Sequence, residues 1–99
     1  MAKCILTNKA VADLSGIWNY TFDYWSERQA DVYYEMLIES CEQIAEKPDI
    51  GKNYERIEKR LFGLRAGSHI IFYRKVNANE VEITRILHEQ MDLKNRILE

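Results

Sequence analysis

Chain breakers and polar low-complexity segments are scarce in this protein. Its 99 residues include one proline and four glycines, which leaves little room for a long linker or a disordered arm. The length fits one domain, residues 1–99, with a single core. No apolar run approaches the roughly 18 residues that span a bilayer, and the first residues lack the apolar core of a signal peptide. We therefore expect a cytoplasmic protein that makes no membrane contact.

The sequence also lacks the motifs of metal and nucleotide chemistry. It contains no P-loop, GxGxxG, GxSxG or HExxH pattern and no zinc-ligand spacing. Its two cysteines, Cys4 and Cys41, form no CxxC pair and no cluster with histidine, which favours reduced core thiols. We expect no cofactor, no metal and no catalytic residue. A pI near 5.7 also disfavours a sequence-specific nucleic-acid-binding module.

The net charge of −2 is unevenly distributed along the chain. Residues 1–51 carry four basic and nine acidic side chains, whereas residues 52–99 carry ten basic and seven acidic ones and both histidines. This asymmetry suggests that the second half of the chain faces a negatively charged partner. Chance segregation of a mixed-charge surface is the alternative.

Two amphipathic helices are predicted in the first half. The first begins at an N-cap near Thr7 and runs to about Trp25. Its apolar arc of roughly 160° is wider than one packing contact requires, so we expect it to meet both a sheet and a second element. Ser26 and Gln29 fit a capping box at the start of a second helix, which runs to about Glu46. Together the two make a helix hairpin.

The hydrophobic period then changes from that of helices to that of strands. Three β-prone segments, residues 61–66, 69–74 and 81–87, are separated by connections of hairpin length and predict an antiparallel meander. A short strand over residues 2–7 can join this sheet at an edge. The order β-α-α-β-β-β predicts an α+β fold, in which the helix hairpin packs on an antiparallel sheet. Residues 89–99 are expected to form a short C-terminal helix or tail at one end of the sheet.

Side-chain alternation sorts the polar residues of the meander between two faces. His69 is expected on one face of the middle strand and Arg74 on the other. In the last strand, alternation puts Arg85 on the same side as Val81 and Ile83. These assignments hold only if the strands pair without irregularities.

Two histidines and three arginines are the candidates for chemistry on this sheet. Antiparallel pairing places His69 and His88 near the same end, where a histidine pair can act as general acid and base or simply be solvated. The three arginines are Arg65, Arg74 and Arg85. They either converge on the open face of the sheet or pair with nearby carboxylates. The register decides between these alternatives.

At these strands the chain resembles a known family. The segment GSHIIFYR, residues 67–74, and the segment VEITRILHEQMD, residues 81–92, are similar to the C-terminal signature of ParE toxins, which belong to the RelE/ParE superfamily of bacterial toxin–antitoxin modules. Residues 12–20 resemble that family's first helix, the stripe that starts at Ala30 resembles its second, and residues 46–51 resemble the loop that follows. The resemblance covers nearly the whole chain.

The resemblance implies a non-enzymatic toxin that poisons DNA gyrase, with the A subunit as the contact. It also implies a ParD-like antitoxin that neutralises the toxin in a hetero-oligomer. Candidate target contacts are on the meander and just beyond it: Arg65, His69, Tyr73, Arg74, Arg85, His88 and Met91. Candidate antitoxin contacts combine aromatic residues of the first helix with two arginines: Trp18, Phe22, Trp25, Arg60 and Arg65. For the aromatic residues, packing against the second helix is the alternative. We expect deletion of residues 89–99 to abolish toxicity without unfolding the core.

The RelE branch of the superfamily supplies the alternative function, a ribosome-dependent mRNA endonuclease. Those toxins use arginine, lysine and tyrosine or histidine side chains on the same sheet, and His88 is close to where some of them carry a functional histidine. However, no tyrosine or phenylalanine follows Val76, so a residue type used for base stacking or proton transfer is missing. This difference favours the ParE branch.

Overall fold

Three helices and five strands make up residues 2–99, which are the residues that this computed structural model describes. The elements are β1 (Lys3–Leu6), α1 (Asn8–Tyr24), α2 (Glu27–Glu46), β2 (Lys52–Asn53), β3 (Phe62–Ala66), β4 (His69–Asn77), β5 (Glu80–His88) and α3 (Leu93–Ile97). The prediction of an α+β fold with a helix hairpin, a C-terminal meander and a short last helix is confirmed. Within the described range, no helix has both the length and the apolarity needed to cross a bilayer.

Both long helices begin at the predicted caps. The backbone N–H of Ala10 donates to Thr7 Oγ1 over 3.1 Å, and that of Gln29 donates to Ser26 Oγ over 3.1 Å. Each hydroxyl satisfies a backbone donor that has no partner within its helix, a contribution of about 1 kcal/mol to helix stability. Only Trp25 and Ser26 separate α1 from α2, so the two helices form the expected tight hairpin.

The sheet has the strand order β1-β5-β4-β3-β2 and is mixed rather than wholly antiparallel. β3, β4 and β5 form the predicted antiparallel meander, but β1 pairs in parallel with β5, from Lys3 opposite Glu80 to Leu6 opposite Ile83. Short hairpins impose antiparallel pairing, whereas the long connection from β1 to β5 imposes no such direction. The predicted edge position of the first strand is confirmed. β2 was not predicted because two residues are too short to show a period.

One face of the sheet packs against the helix hairpin and forms the larger core. Leu37 and Ile44 of α2 pack with Ile71, Tyr73 and other apolar side chains of the meander, and these four residues are 0% exposed. Burial of each large apolar side chain contributes about 1.5–3 kcal/mol relative to an exposed position. This packing accounts for the apolar stripe predicted on the second helix.

A second, smaller core lies on the opposite face of the sheet. Leu61, Phe72 and Leu87 are buried there, and Leu93 and Ile97 of α3 pack against them. The expectation that the C-terminal segment lies only at an end of the sheet is therefore wrong. It covers apolar surface that the loop between β2 and β3 cannot cover alone.

A bulge interrupts the pairing of β4 with β5. Phe72 pairs with Arg85 and Tyr73 pairs with Ile83, so Thr84 has no partner residue in β4. The extra residue reverses the alternation of side chains beyond it. Arg85 therefore does not share a face with Ile83, contrary to the prediction from strict alternation.

The two cysteines are free thiols. Cys41 of α2 is buried in the larger core, and Cys4 of β1 is half-buried beside it. A hydrogen bond with Cys4, together with burial, raises the pKa of Cys41 far above its usual value. Cys41 is therefore a packing residue with no thiolate character.

Candidate functional site

A groove of about 740 Å³ opens between the tip of the helix hairpin and one end of the sheet. Its lining combines the last turns of α1 with the turn between β3 and β4 and the segment after β5. Side chains from all of these elements line it, among them Ile17, Trp25, Tyr33, His69, His88 and Met91. The groove joins Trp25 of the predicted antitoxin contacts to His69, His88 and Met91 of the predicted target contacts.

Two paired histidines line this groove, at the sheet end where they were expected. His69 and His88 are direct partners across β4 and β5, and their ring centroids are 5.2 Å apart in an edge-to-face arrangement. Tyr33 Oη lies 2.6 Å from His69 Nδ1 and accepts a hydrogen bond from the Ser68 N–H over 3.0 Å. When the Tyr33 hydroxyl donates to His69 Nδ1, the imidazole carries its proton on Nε2.

The environment of His69 keeps its imidazole neutral at physiological pH. Burial and then the neighbouring His88 lower the pKa of His69 to about 4, although Asp13 and Glu89 act in the opposite direction. A neutral imidazole that is hydrogen-bonded to Tyr33 is a fixed part of the groove lining. It has no charge with which to stabilise a phosphate.

The three arginines of the sheet do not converge on one surface. Arg65 Nη2 lies 2.7 Å from Glu89 Oε2, and Arg74 forms an ion pair with Glu58. The alternative interpretation, that the arginines pair with carboxylates, is the one the structure shows. The Arg65 side chain is still 70% exposed, so it remains accessible near the Glu89 end of the sheet.

Arg85 forms a largely buried ion pair with Asp13 of α1. Its Nε and Nη2 donate to the two carboxylate oxygens over 2.8 and 3.0 Å, and the Asp13 carboxylate also accepts the Ile86 N–H over 3.0 Å. Arg85 Nη1 donates to the Arg96 carbonyl over 2.7 Å. Asp13 raises the pKa of Arg85, and only 12% of the arginine side chain is exposed. Arg85 therefore joins α1, β5 and the C-terminal segment and offers little surface to a target.

Tyr73 cannot contact a target, so this assignment was wrong. Its side chain is 0% exposed in the larger core. The hydroxyl accepts from the Gly51 N–H over 2.9 Å and donates to the Pro48 carbonyl over 2.7 Å. Burial raises the pKa of Tyr73. Alternation along β4 correctly placed Tyr73 on the face of His69, but that face is covered by the helix hairpin.

The aromatic residues of α1 differ in their surroundings. Trp18 stacks on Phe22 with centroids 5.3 Å apart and donates its indole N–H to Asp31 Oδ1 of α2 over 3.0 Å. Packing against α2, the alternative interpretation, therefore applies to Trp18. Phe22 and Trp25 remain 45% and 74% exposed, as a partner surface requires.

The two arginines predicted as antitoxin contacts have different surroundings from these aromatic residues. Arg60 is exposed, has a φ of 62°, and belongs to the loop between β2 and β3 that covers the second core. Arg65 is in β3 and faces Glu89. The structure thus brings Trp25 to the groove and leaves Arg60 outside it.

Sequence reasoning missed several residues that build the site. Tyr33 belongs to the apolar stripe that starts at Ala30, and neither it nor Asp13 was predicted to have a functional role. Spacing gave no signal for either, because their partners His69 and Arg85 are 36 and 72 positions away. Within residues 2–99, no three histidine, cysteine or carboxylate side chains are placed to hold a metal ion.

Known proteins are similar to this chain in sequence and in fold. The family described as "ParE toxin of type II toxin-antitoxin system, parDE" matches residues 4–93. Toxin ParE1 of Caulobacter vibrioides is 37% identical over 90% of this chain and 91% of its own length. Toxin ParE1 of Mycobacterium tuberculosis is 32% identical over 97% of this chain and 98% of its own length. The solved "Chromosomal ParDE TA system from P. aeruginosa" contains a chain that superimposes with a TM-score of 0.76 at 20% identity, over 89% of this chain and 96% of that one.

These matches define the class of protein, a small α+β toxin of a type II toxin–antitoxin system. The chain belongs to the ParE toxin family.

Proposed function

We propose that this protein inhibits DNA gyrase, with the A subunit as its contact, and that a ParD-like antitoxin neutralises it in a cytoplasmic hetero-oligomer. Membership of the ParE family supports the toxin role. The observation that carries the proposal is the shared groove, where Trp25 of the predicted antitoxin contacts meets His69, His88 and Met91 of the predicted target contacts. An antitoxin segment seated there covers the surface that gyrase would use, and this explains neutralisation by occlusion.

Inhibition by contact fits the chemistry of the groove better than cleavage of RNA does. A ribonuclease needs a titratable acid and base together with cations near the scissile phosphate. Here His69 is neutral and bound to Tyr33, and Arg74 and Arg85 are held by Glu58 and Asp13. The exposed wall of the groove is instead aromatic and aliphatic, which suits a protein contact.

Two assays with purified toxin test the proposed target. The first measures DNA supercoiling and the accumulation of cleaved DNA by gyrase, and the second measures cell-free translation and message integrity. We expect loss of supercoiling with intact messages. Cut messages together with unaffected gyrase would establish the RelE-like endonuclease instead.

Two substitutions then test the groove. Met91→Ala and Trp25→Ala remove exposed side chains of 42% and 74% accessibility, so neither should unfold the protein. We expect each to weaken both gyrase inhibition and antitoxin binding, by about tenfold for a central contact. Val76→Ala is a matched control, since Val76 is 53% exposed in β4 and does not line the groove. Equal effects of all three substitutions would contradict the assignment.

A further inference from the structure

A short basic loop lies on the face of the sheet opposite the helix hairpin, where it covers the second core. It runs from residue 52 to residue 60, and we call its four exposed basic residues the cationic patch: Lys52, Arg56, Lys59 and Arg60. None of the four forms an ion pair within residues 2–99. Glu58 of the same loop pairs with Arg74, so that Glu55 is the one other carboxylate of the loop.

The cationic patch is anchored to the second core. The two ends of the loop meet where the Tyr54 N–H donates to the Leu61 carbonyl over 2.8 Å. Tyr54 is 8% exposed, and its ring packs edge-to-face on Phe72 with centroids 5.1 Å apart. The positive groups of Lys52 and Arg56 lie 5.8 and 5.4 Å from the centre of the Tyr54 ring. Two like charges are therefore gathered at one ring, and an anionic partner would offset their repulsion.

Arg60 adopts a backbone conformation that glycine favours. Its φ of 62° lies in the left-handed region, and among residues 2–99 no other residue except glycine has a positive φ. A residue with a Cβ atom is strained there, whereas glycine is not. An exposed arginine thus occupies a position where glycine would be more stable. Strained positions of this kind cluster at binding sites.

Charge is divided between the two faces of the molecule. α2 packs on the face opposite the loop, and its exposed carboxylates are Glu27, Asp31, Glu35, Glu39, Glu42 and Glu46. Arg28 is the only basic residue of this helix. A negatively charged partner is therefore attracted to the loop and repelled by α2, although the net charge of the whole chain is −2.

The surface of the loop selects among negatively charged partners. All of its exposed residues are polar, whereas Tyr54 and Ile57 pack towards the second core. A protein contact has apolar or aromatic anchors at its centre, and the exposed side of this loop offers none. Contacts to the phosphate backbone of nucleic acid need only positive and polar groups, and they carry no sequence information. Duplex DNA is the nucleic acid on which gyrase, the proposed target, acts.

We propose that the cationic patch binds the phosphate backbone of the duplex DNA held by gyrase, an inference that rests on the gyrase target proposed above. The patch is separate from the groove. It adjoins Phe62, the first residue of β3, whereas the groove begins beyond Ala66, the last residue of that strand, about 13 Å away. The toxin can therefore contact gyrase through the groove and DNA through the loop at once. Binding at the groove then raises the effective concentration of DNA at the patch.

The test compares two charge-neutralised toxins in binding to purified gyrase, with and without saturating linear duplex DNA. The loop variant carries Arg56→Gln, Lys59→Gln and Arg60→Gly. The matched control has the same net charge and carries Lys3→Gln, Arg28→Gln and Lys47→Gln, which lie in β1, in α2 and at its C-cap. All six side chains are exposed, so thermal unfolding should show that both variants are folded.

We expect DNA to strengthen the binding of wild-type toxin to gyrase, and the ratio of the affinities with and without DNA measures the contribution of the patch. With four phosphate contacts, this ratio should fall about 100-fold between about 0.05 and 0.2 M salt, whereas the one contact left in the loop variant predicts a fall of about threefold. The control should behave as wild type. Without DNA, the loop variant and wild type should bind gyrase equally.

Arg60→Gly alone separates binding from folding. Glycine relieves the strain at φ 62°, so the Tm of this variant should be at least that of wild type. Its DNA-dependent gain in affinity should nevertheless be smaller, because one phosphate contact is lost. A destabilised protein would not show this combination.

An undiminished DNA-dependent gain in the loop variant would overturn the inference while leaving gyrase as the target, and so would an equal loss in the loop variant and the control. Weaker binding of the loop variant to gyrase without DNA would assign the patch to an acidic surface of the enzyme and refute the DNA contact. Weaker binding to the antitoxin, with the DNA-dependent gain unchanged, would refute it in favour of an acidic antitoxin segment. Failure of wild-type toxin to bind gyrase in either condition would instead overturn the proposed function, and this inference with it.

Discussion

Asp13→Ala should be among the most destabilising single substitutions outside the apolar core. The Asp13 carboxylate accepts three hydrogen bonds, two from the Arg85 guanidinium and one from the Ile86 N–H. Only 15% of the Asp13 side chain and 12% of the Arg85 side chain are exposed. Removal of the aspartate leaves a desolvated guanidinium with no opposite charge beside it except that of Glu99, 3.3 Å away and half exposed.

The expected loss is about 3 kcal/mol, the lower end of what removal of one partner from a buried ion pair costs. For a domain of this size that corresponds to a fall in Tm of about 15 °C. Urea unfolding followed by circular dichroism measures the free energy directly. Arg65→Ala is the control, because the exposed pair of Arg65 with Glu89 should contribute less than about 1 kcal/mol.

A double-mutant cycle measures the coupling free energy between Asp13 and Arg85. Asp13→Ala combined with Arg85→Met should cost at least about 1 kcal/mol less than the two single substitutions added together, because the second change removes the uncompensated charge. A loss below about 1 kcal/mol for Asp13→Ala, or strict additivity in the cycle, would refute the view that this pair joins α1 to β5.

Three further predictions concern other parts of the molecule. Tyr73→Phe should lower the free energy of unfolding by about 1–2 kcal/mol, because the loop after α2 loses two hydrogen bonds; urea unfolding measures it, and an unchanged midpoint would contradict it. A neutral His69, with its pKa of about 4, contributes stability that is present above pH 6.5 and is lost as the pH falls towards 4. The free energy of wild type minus that of His69→Gln should therefore fall by about 1–2 kcal/mol over that range, after allowance for solvent screening, and a flat difference would disprove this. Leu93→Ala with Ile97→Ala should lower the Tm, because both side chains pack on the second core; if Tm is unchanged, residues 89–99 are dispensable for folding as first expected.

The helices and the meander were predictable because their signals are local. N-caps at Thr7 and Ser26, the apolar stripe of α2 and the alternation of β4 each lie within a few residues of what they determine. The resemblance to ParE toxins added the function, and both relatives and family description bear it out at the level of a toxin.

Features that depend on register or on distant contacts were not predictable. The bulge at Thr84 takes Arg85 off the face of Ile83, and no periodic pattern anticipates an inserted residue. The ion pair of Arg85 with Asp13 of α1 joins residues 72 positions apart. Alternation gave the face of Tyr73 but not its burial, which depends on where α2 lies. For the same reason the pairing of His69 with His88 was foreseen, whereas the hydroxyl of Tyr33 beside it was not.

The parallel pairing of β1 with β5 has a consequence for the moment at which the toxin first becomes active. Thr7 Oγ1 donates to the Thr84 carbonyl over 2.8 Å, a contact between residues 77 positions apart. Synthesis proceeds from β1 towards β5, so the sheet cannot close while β5 is still inside the ribosome. Asp13 likewise waits for Arg85, and the groove for His88. The groove and the Asp13–Arg85 ion pair therefore form only when almost all of the chain has emerged.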